Sequence, residues 1–99
     1  MRIYISGPIT GHDNYWDKFM EAENYLRKKG YSVMNPAGLG VVMPHDATHE
    51  EYMNICMDLI GMCDTIYMLD GWQQSTGANR EYGFAMAKGM MVINSLEGL

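Results

Sequence analysis

Ninety-nine residues, 47% of them apolar and 19% charged, allow one domain with one modest core and exclude a disordered chain. Twelve acidic against seven basic side chains give a net charge of -5, the wrong sign for a protein that follows the phosphates of duplex nucleic acid. No apolar run approaches the ~18 residues of a membrane span, so neither a membrane nor duplex nucleic acid is an expected partner.

The first element, Arg2 to Ser6, is a short β-branched run closed by the turn signal Gly7-Pro8. Asp13 or Asn14 can cap a helix to about Lys29, whose apolar positions Tyr15, Phe19, Ala22, Tyr25 and Leu26 recur at helical spacing. Gly30 is its stop. Tyr31 to Met34 is the second strand, ended by Asn35-Pro36, and Pro36 to Thr48 shows no regular pattern. Thr48-His-Glu-Glu fits a capping box with Glu51, opening a helix to about Met62. Thr65 to Leu69 is a continuous apolar run of the kind that fills a central parallel strand. Gly71 to Thr76 is polar and loop-like. Ser75 or Thr76 can cap a helix to Lys88, stopped by Gly89, and Met90 to Ile93 is the last strand.

Alternating strands and helices predict an α/β fold: a three-layer sandwich around a four-stranded parallel sheet, order 2-1-3-4. Ligands in such sheets bind beyond the C-terminal strand ends, where the order switches. The switch falls between strands one and three. It brings together Ser6-Gly7-Pro8-Ile9-Thr10-Gly11 and Asp70-Gly71-Trp72-Gln73-Gln74-Ser75, with Asn35-Pro36-Ala37-Gly38 on the same edge.

Glycines in the first loop let a backbone approach a ligand, or simply turn the chain; neither the P-loop ending nor the dinucleotide fingerprint is present. Glu81 lies near the start of the last helix, where a carboxylate is either functional or a favourable surface charge paired with Arg80 or Lys88. Trp72 serves either as a stacking platform for a base or as a subunit contact. His45, Asp46 and His49 fall short of the ligand set a zinc site needs, and a mobile flap with surface histidines is the plainer reading. The eleven methionines fit a pliable core or a subunit interface. Cys56 and Cys63, two helical turns or ~10 Å apart, are too distant for a disulfide. Cys56 reads as a buried small thiol. Reduced thiols, and a strand where an export signal would stand, make the cytoplasm the expected location.

Taken together, Tyr4-Ile5-Ser6-Gly7-Pro8-Ile9-Thr10-Gly11, Asn35-Pro36, Cys63-Asp64-Thr65-Ile66-Tyr67-Met68-Leu69 and Gly71-Trp72-Gln73-Gln74-Ser75-Thr76-Gly77-Ala78-Asn79-Arg80-Glu81-Tyr82-Gly83 resemble the nucleoside 2-deoxyribosyltransferase superfamily. The resemblance spans essentially the whole chain, read as one domain over residues 1–99. It implies a flavodoxin-like fold and cleavage of the N-glycosidic bond of a nucleoside or nucleotide, by transfer to a second base or by hydrolysis. Glu81 matches the family nucleophile, and Tyr4 the early tyrosine that orients it. Ser6, Gly7, Pro8, Ile9, Thr10, Asn35, Trp72, Ser75, Gly77 and Asn79 are the expected substrate-binding residues. The family often carries an acid about two turns before the aspartate of strand three, which Asp64 matches. Cys56 stands near that place and Asp58 two residues later, about 160° round the helix. Asp58 is the candidate acid or else a solvated charge. The family's nucleotide-hydrolysing branch places a serine and an arginine in the first loop, where Pro8 and Thr10 stand here. No cofactor and no metal is expected. A four-stranded sheet with two open edges, and the resemblance itself, imply a homo-oligomer. The alternative is a non-catalytic nucleotide-binding module on the same fold.

Overall fold

The computed structural model describes all residues from Met1 to Leu99. A parallel sheet of β1 (Arg2–Ser6), β2 (Ser32–Met34), β3 (Thr65–Met68) and β4 (Met91–Ile93) runs in the order β2-β1-β3-β4. Ser6 stands beside Met68 at the end of the β1–β3 ladder, so both strands finish at one edge. Helix α1 (Tyr15–Lys28) packs on one face, while α3 (His49–Gly61) and α4 (Thr76–Ala87) pack on the other. This is the expected α/β arrangement.

Strand alternation decides what each helix meets, because successive side chains point to opposite faces. Ile3 and Ile5 join Phe19, Ala22 and Leu26 under α1. Tyr4, Ile66 and Met68 join Cys56, Ile60, Ala78 and Ala85 under α3 and α4. Thr48 and Glu51 form the capping box: the Thr48 hydroxyl accepts from the Glu51 backbone at 3.1 Å, and Glu51 accepts from the Thr48 backbone at 2.8 Å.

The structure departs from the sequence reading in detail. Asn14 takes the position before α1 without a side-chain cap bond. Tyr25 lies at the solvent margin of the helix face and is exposed. Tyr31, Leu69 and Met90 fall just outside their strands. The segment expected to be irregular holds a short 3-10 helix at Pro36–Gly38 and one α-helical turn, α2, at Leu39–Val42. The Asn35 side chain nucleates the first by accepting from the Ala37 backbone at 2.9 Å. A second 3-10 turn, Trp72–Gln74, occupies the polar loop after β3.

Candidate active site

The switch between β1 and β3 is a pocket, a cavity of about 220 Å³ open to solvent. The β1–α1 loop contributes Gly7, Ile9 and Thr10, and the start of α4 contributes Ser75, Gly77, Ala78 and Glu81. Gly7 is there because nothing larger fits: a Cβ on it would lie 2.8 Å from Leu69 side-chain carbons. Ser75 caps α4, its hydroxyl accepting from the Ala78 backbone at 3.2 Å.

Glu81 is the centre of the site. It is 6% exposed, so the surface-charge reading does not hold. Arg80, its sequence neighbour, turns outward to pair with Glu50 at 2.6 Å. The Tyr4 hydroxyl donates to Glu81 Oε2 and the Ser6 hydroxyl to Oε1, each at 2.6 Å. Both donors come from the same face of β1, two residues apart. Burial pushes the Glu81 carboxyl above its ordinary value, against the hydrogen bonds from Ser6 and Tyr4 and the nearby Cys56 thiol and His49, which pull it down. Burial first, and the Glu81 charge second, hold the Tyr4 hydroxyl well above its ordinary value, so it remains a donor. Burial also pushes the Cys56 thiol up to about 11, so it stays protonated at neutral pH and is no thiolate nucleophile. The arrangement is a carboxylate fixed at both oxygens beside an open cavity, which suits nucleophilic attack or cation stabilisation.

The expected site residues divide into three groups. Glu81, Gly7, Ile9, Thr10, Ser75 and Gly77 line the pocket, with Tyr4 and Ser6 bonded to Glu81. Pro8, Asn35, Trp72 and Asn79 do not line it. Asn35 is occupied by Ala37 and Glu23. Trp72 stacks on Tyr82, ring centres 4.7 Å apart. Asn79 donates to the carbonyls of Trp72, Gln73 and Ser75 at 3.3, 3.0 and 2.8 Å, pinning the 3-10 turn to α4. Asp58 is exposed and outside the pocket: the helical rotation that turns Cys56 inward turns Asp58 to solvent.

The sequence pattern marked His49 only as a surface histidine and Cys56 only as a buried thiol, and did not join them with Tyr52 and Met53 into a pocket wall. His49, Tyr52, Met53 and Cys56 line the pocket from one face of α3, and Tyr15, Phe19, Pro36, Ala37, Leu39 and Gly40 close the rest. The spacing i, i+3, i+4, i+7 from His49 to Cys56 is the signal that marks this face. No three His, Cys, Asp or Glu side chains come together as a metal site, and His45 and Asp46 are exposed outside the pocket.

Comparison with other proteins gives the same outline. A family described as "Domain of unknown function (DUF4406)" matches residues 1–94. No curated protein matches. A 2-deoxyribosyltransferase from Bacillus psychrosaccharolyticus is similar in structure, with a TM-score of 0.75 and 21% identity over 93% of this chain and 69% of that one. A 2-deoxyribosyltransferase from Leishmania mexicana is similar at a TM-score of 0.68 and 25% identity, covering 92% of this chain. The chain spans 61% of the length of that second protein. The fold is that of the nucleoside 2-deoxyribosyltransferase-like superfamily. No helix is long and apolar enough to cross a membrane.

Proposed function

We propose that this chain, which belongs to the DUF4406 family, cleaves the N-glycosidic bond of a nucleoside or nucleotide with Glu81 as nucleophile. The observation that carries the reading is the buried Glu81 carboxylate, held at both oxygens by Tyr4 and Ser6 on the floor of an open pocket. Attack of one carboxylate oxygen on the anomeric carbon expels the base and leaves a glycosyl ester. A second base, or water, then displaces the sugar from Glu81. Two displacements replace one difficult step, and the oxocarbenium-like transition states gain from the adjacent negative charge. Fixing both oxygens in advance removes rotational freedom that a free carboxylate would lose on attack. The named activity of the two structural relatives supports this reading.

The test is a panel of 2′-deoxynucleosides and their 5′-monophosphates, with chromatographic detection of free or exchanged base. Wild-type protein releases base from at least one member. Glu81→Gln, which keeps the shape and removes the nucleophile, loses at least ~10⁴-fold of the rate. Undiminished release by Glu81→Gln would refute the assignment of the nucleophile.

A second reading, a nucleotide-binding module without turnover, draws on one observation: Asp58, the candidate acid, lies outside the pocket. It calls for calorimetric binding of a nucleoside or nucleotide with no base released. Both readings expect a homo-oligomer, because β2 and β4 are open sheet edges. Light scattering at micromolar concentration tests that expectation.

A further inference from the structure

The pocket wall opposite the β1–α1 loop carries a group that the glutamate chemistry leaves unused. His49 is the first residue of α3, and with Tyr52, Met53 and Cys56 it forms the face that α3 turns to the cavity. Its ring reaches α4: a Cβ built on Gly77 would lie 3.7 Å from His49 Cε1. Gly77 precedes Glu81 by four residues, about one helical turn or ~6 Å along α4. The imidazole therefore borders the cavity about one turn from the residue that carries the carboxylate. The Arg80–Glu50 pair, with contacts of 2.6 and 3.2 Å, bridges the start of α3 and α4 beside it.

Cleaving a glycosidic C–N bond places the bonding electron pair on a base nitrogen. That nitrogen leaves far more readily when a proton arrives there in the same step. The ionisable side chains on the wall are Tyr15, His49, Tyr52, Cys56 and Glu81. Glu81 is taken as the nucleophile, and phenols and thiols ordinarily keep their protons well above neutrality. Imidazole is the side chain that ordinarily both gives and takes a proton there.

Resting on the glycosidic-bond reading, we propose that His49 is the acid–base partner of Glu81. As Glu81 forms its bond to the anomeric carbon, the C–N pair moves to the base, and the imidazolium N–H proton moves to a ring nitrogen of that base. The base departs neutral, and His49 is left neutral. In the second step the neutral imidazole takes the proton of the incoming water or second base as that acceptor bonds to the anomeric carbon and the Glu81 oxygen leaves. The cycle returns both side chains to their starting states.

The experiment compares wild-type protein and His49→Gln on two substrates: the deoxynucleoside cleaved fastest in the panel, and 4-nitrophenyl 2-deoxyribofuranoside, whose leaving group needs no proton. His49 is exposed at the first turn of α3, so the substitution leaves the core intact. With the nucleoside, kcat/KM of His49→Gln falls by ~10²–10⁴-fold, the usual worth of a positioned acid. With the nitrophenyl glycoside it falls by less than about tenfold. The alkaline limb of the wild-type pH profile disappears in the variant. The other titratable and charged groups of the pocket and its rim remain in both proteins: Glu81 on α4 with Tyr4 bonded to it, Tyr52 and Cys56 on α3, Tyr15 on α1, and the Glu50–Arg80 pair. Equal losses on both substrates would show that His49 only binds or packs, and would overturn the proposal. Unchanged nucleoside cleavage would overturn it too, with the glycosidic-bond reading intact. Absence of base release by wild-type protein from every substrate would instead remove that reading, and the proposal with it.

Discussion

One strand serves two faces of this molecule, and the faces do opposite things with burial. Ile3 and Ile5 of β1 enter an apolar layer with Phe19, Ala22 and Leu26 of α1. Tyr4 and Ser6, the alternate residues, carry their hydroxyls to a buried carboxylate on α4. The first face lowers the free energy of the fold by removing hydrocarbon from water. The second keeps a charge away from water and recovers only part of that loss through two short hydrogen bonds, as the raised Glu81 carboxyl records. A carboxylate so placed is hard to explain as a device for stability. Its position beside an open pocket gives a reason for keeping it.

Substitutions on the two sides separate these roles. Ile5→Ala removes buried hydrocarbon from the α1 face and costs ~2–5 kcal/mol of unfolding free energy. The fraction still folded keeps wild-type kcat and KM, as denaturant melts and assays on the same samples will show. Tyr4→Phe touches the other face. If Glu81 is the nucleophile as proposed, loss of the donor to Oε2 lowers base release by up to ~10²-fold, because the carboxylate is no longer held for attack. It also moves the acidic limb of the pH profile upward, since the Tyr4 hydrogen bond pulls the Glu81 carboxyl down and its removal lets burial act with less opposition. A Tyr4→Phe protein with an unmoved acidic limb would break the contrast between the faces.

The pH dependence of stability gives a smaller and more direct measure. The folded carboxyl of Glu81 is raised above its ordinary value of 4.5, so between those two values the folded chain binds more protons than the unfolded one. Stability therefore falls as pH rises through that window. Sites that behave alike in both proteins cancel in the difference between wild type and Glu81→Gln. Wild type should gain stability relative to Glu81→Gln on going from pH 7 to below 4.5. Thermal melts of the two proteins across that range test the sign.

The contrast between the faces is partly legible in the amino-acid sequence. The alternation in Arg2-Ile3-Tyr4-Ile5-Ser6 assigns Tyr4 and Ser6 to one side, and the succession of strands and helices indicates the 2-1-3-4 sheet. That Glu81 meets both hydroxyls depends on the packing angle of α4 on β1, which no local pattern encodes. The single turn of α2 is illegible for another reason: Leu39-Gly40-Val41-Val42 is a weak helix by propensity, too short to nucleate alone, so tertiary packing decides it. Asn35, just before the first 3-10 turn, and Asn79, in the first turn of α4, perform a different task from the expected one. A polar side chain beside a turn can bind a ligand or hold the turn, and both of these give their hydrogen bonds to the chain itself.

Asp58 offers the smallest effect and a useful limit. On α3 the pocket face is His49, Tyr52, Met53 and Cys56, and each step of two residues turns the helix by about 200°. Asp58 is thus displaced from Cys56 by nearly half a turn, into solvent, with no hydrogen bond or ion pair to a side chain. A solvated carboxylate on that side can neither reach a substrate in the pocket nor gain much from its neighbours. Asp58→Asn should change stability by no more than ~0.5 kcal/mol and leave the rate of base release within about twofold of wild type. A large loss of activity in Asp58→Asn, without loss of folding, would mean that α3 presents a different face to substrate in the working protein. In that case the partnership between His49 and Glu81 would have to be redrawn around Asp58.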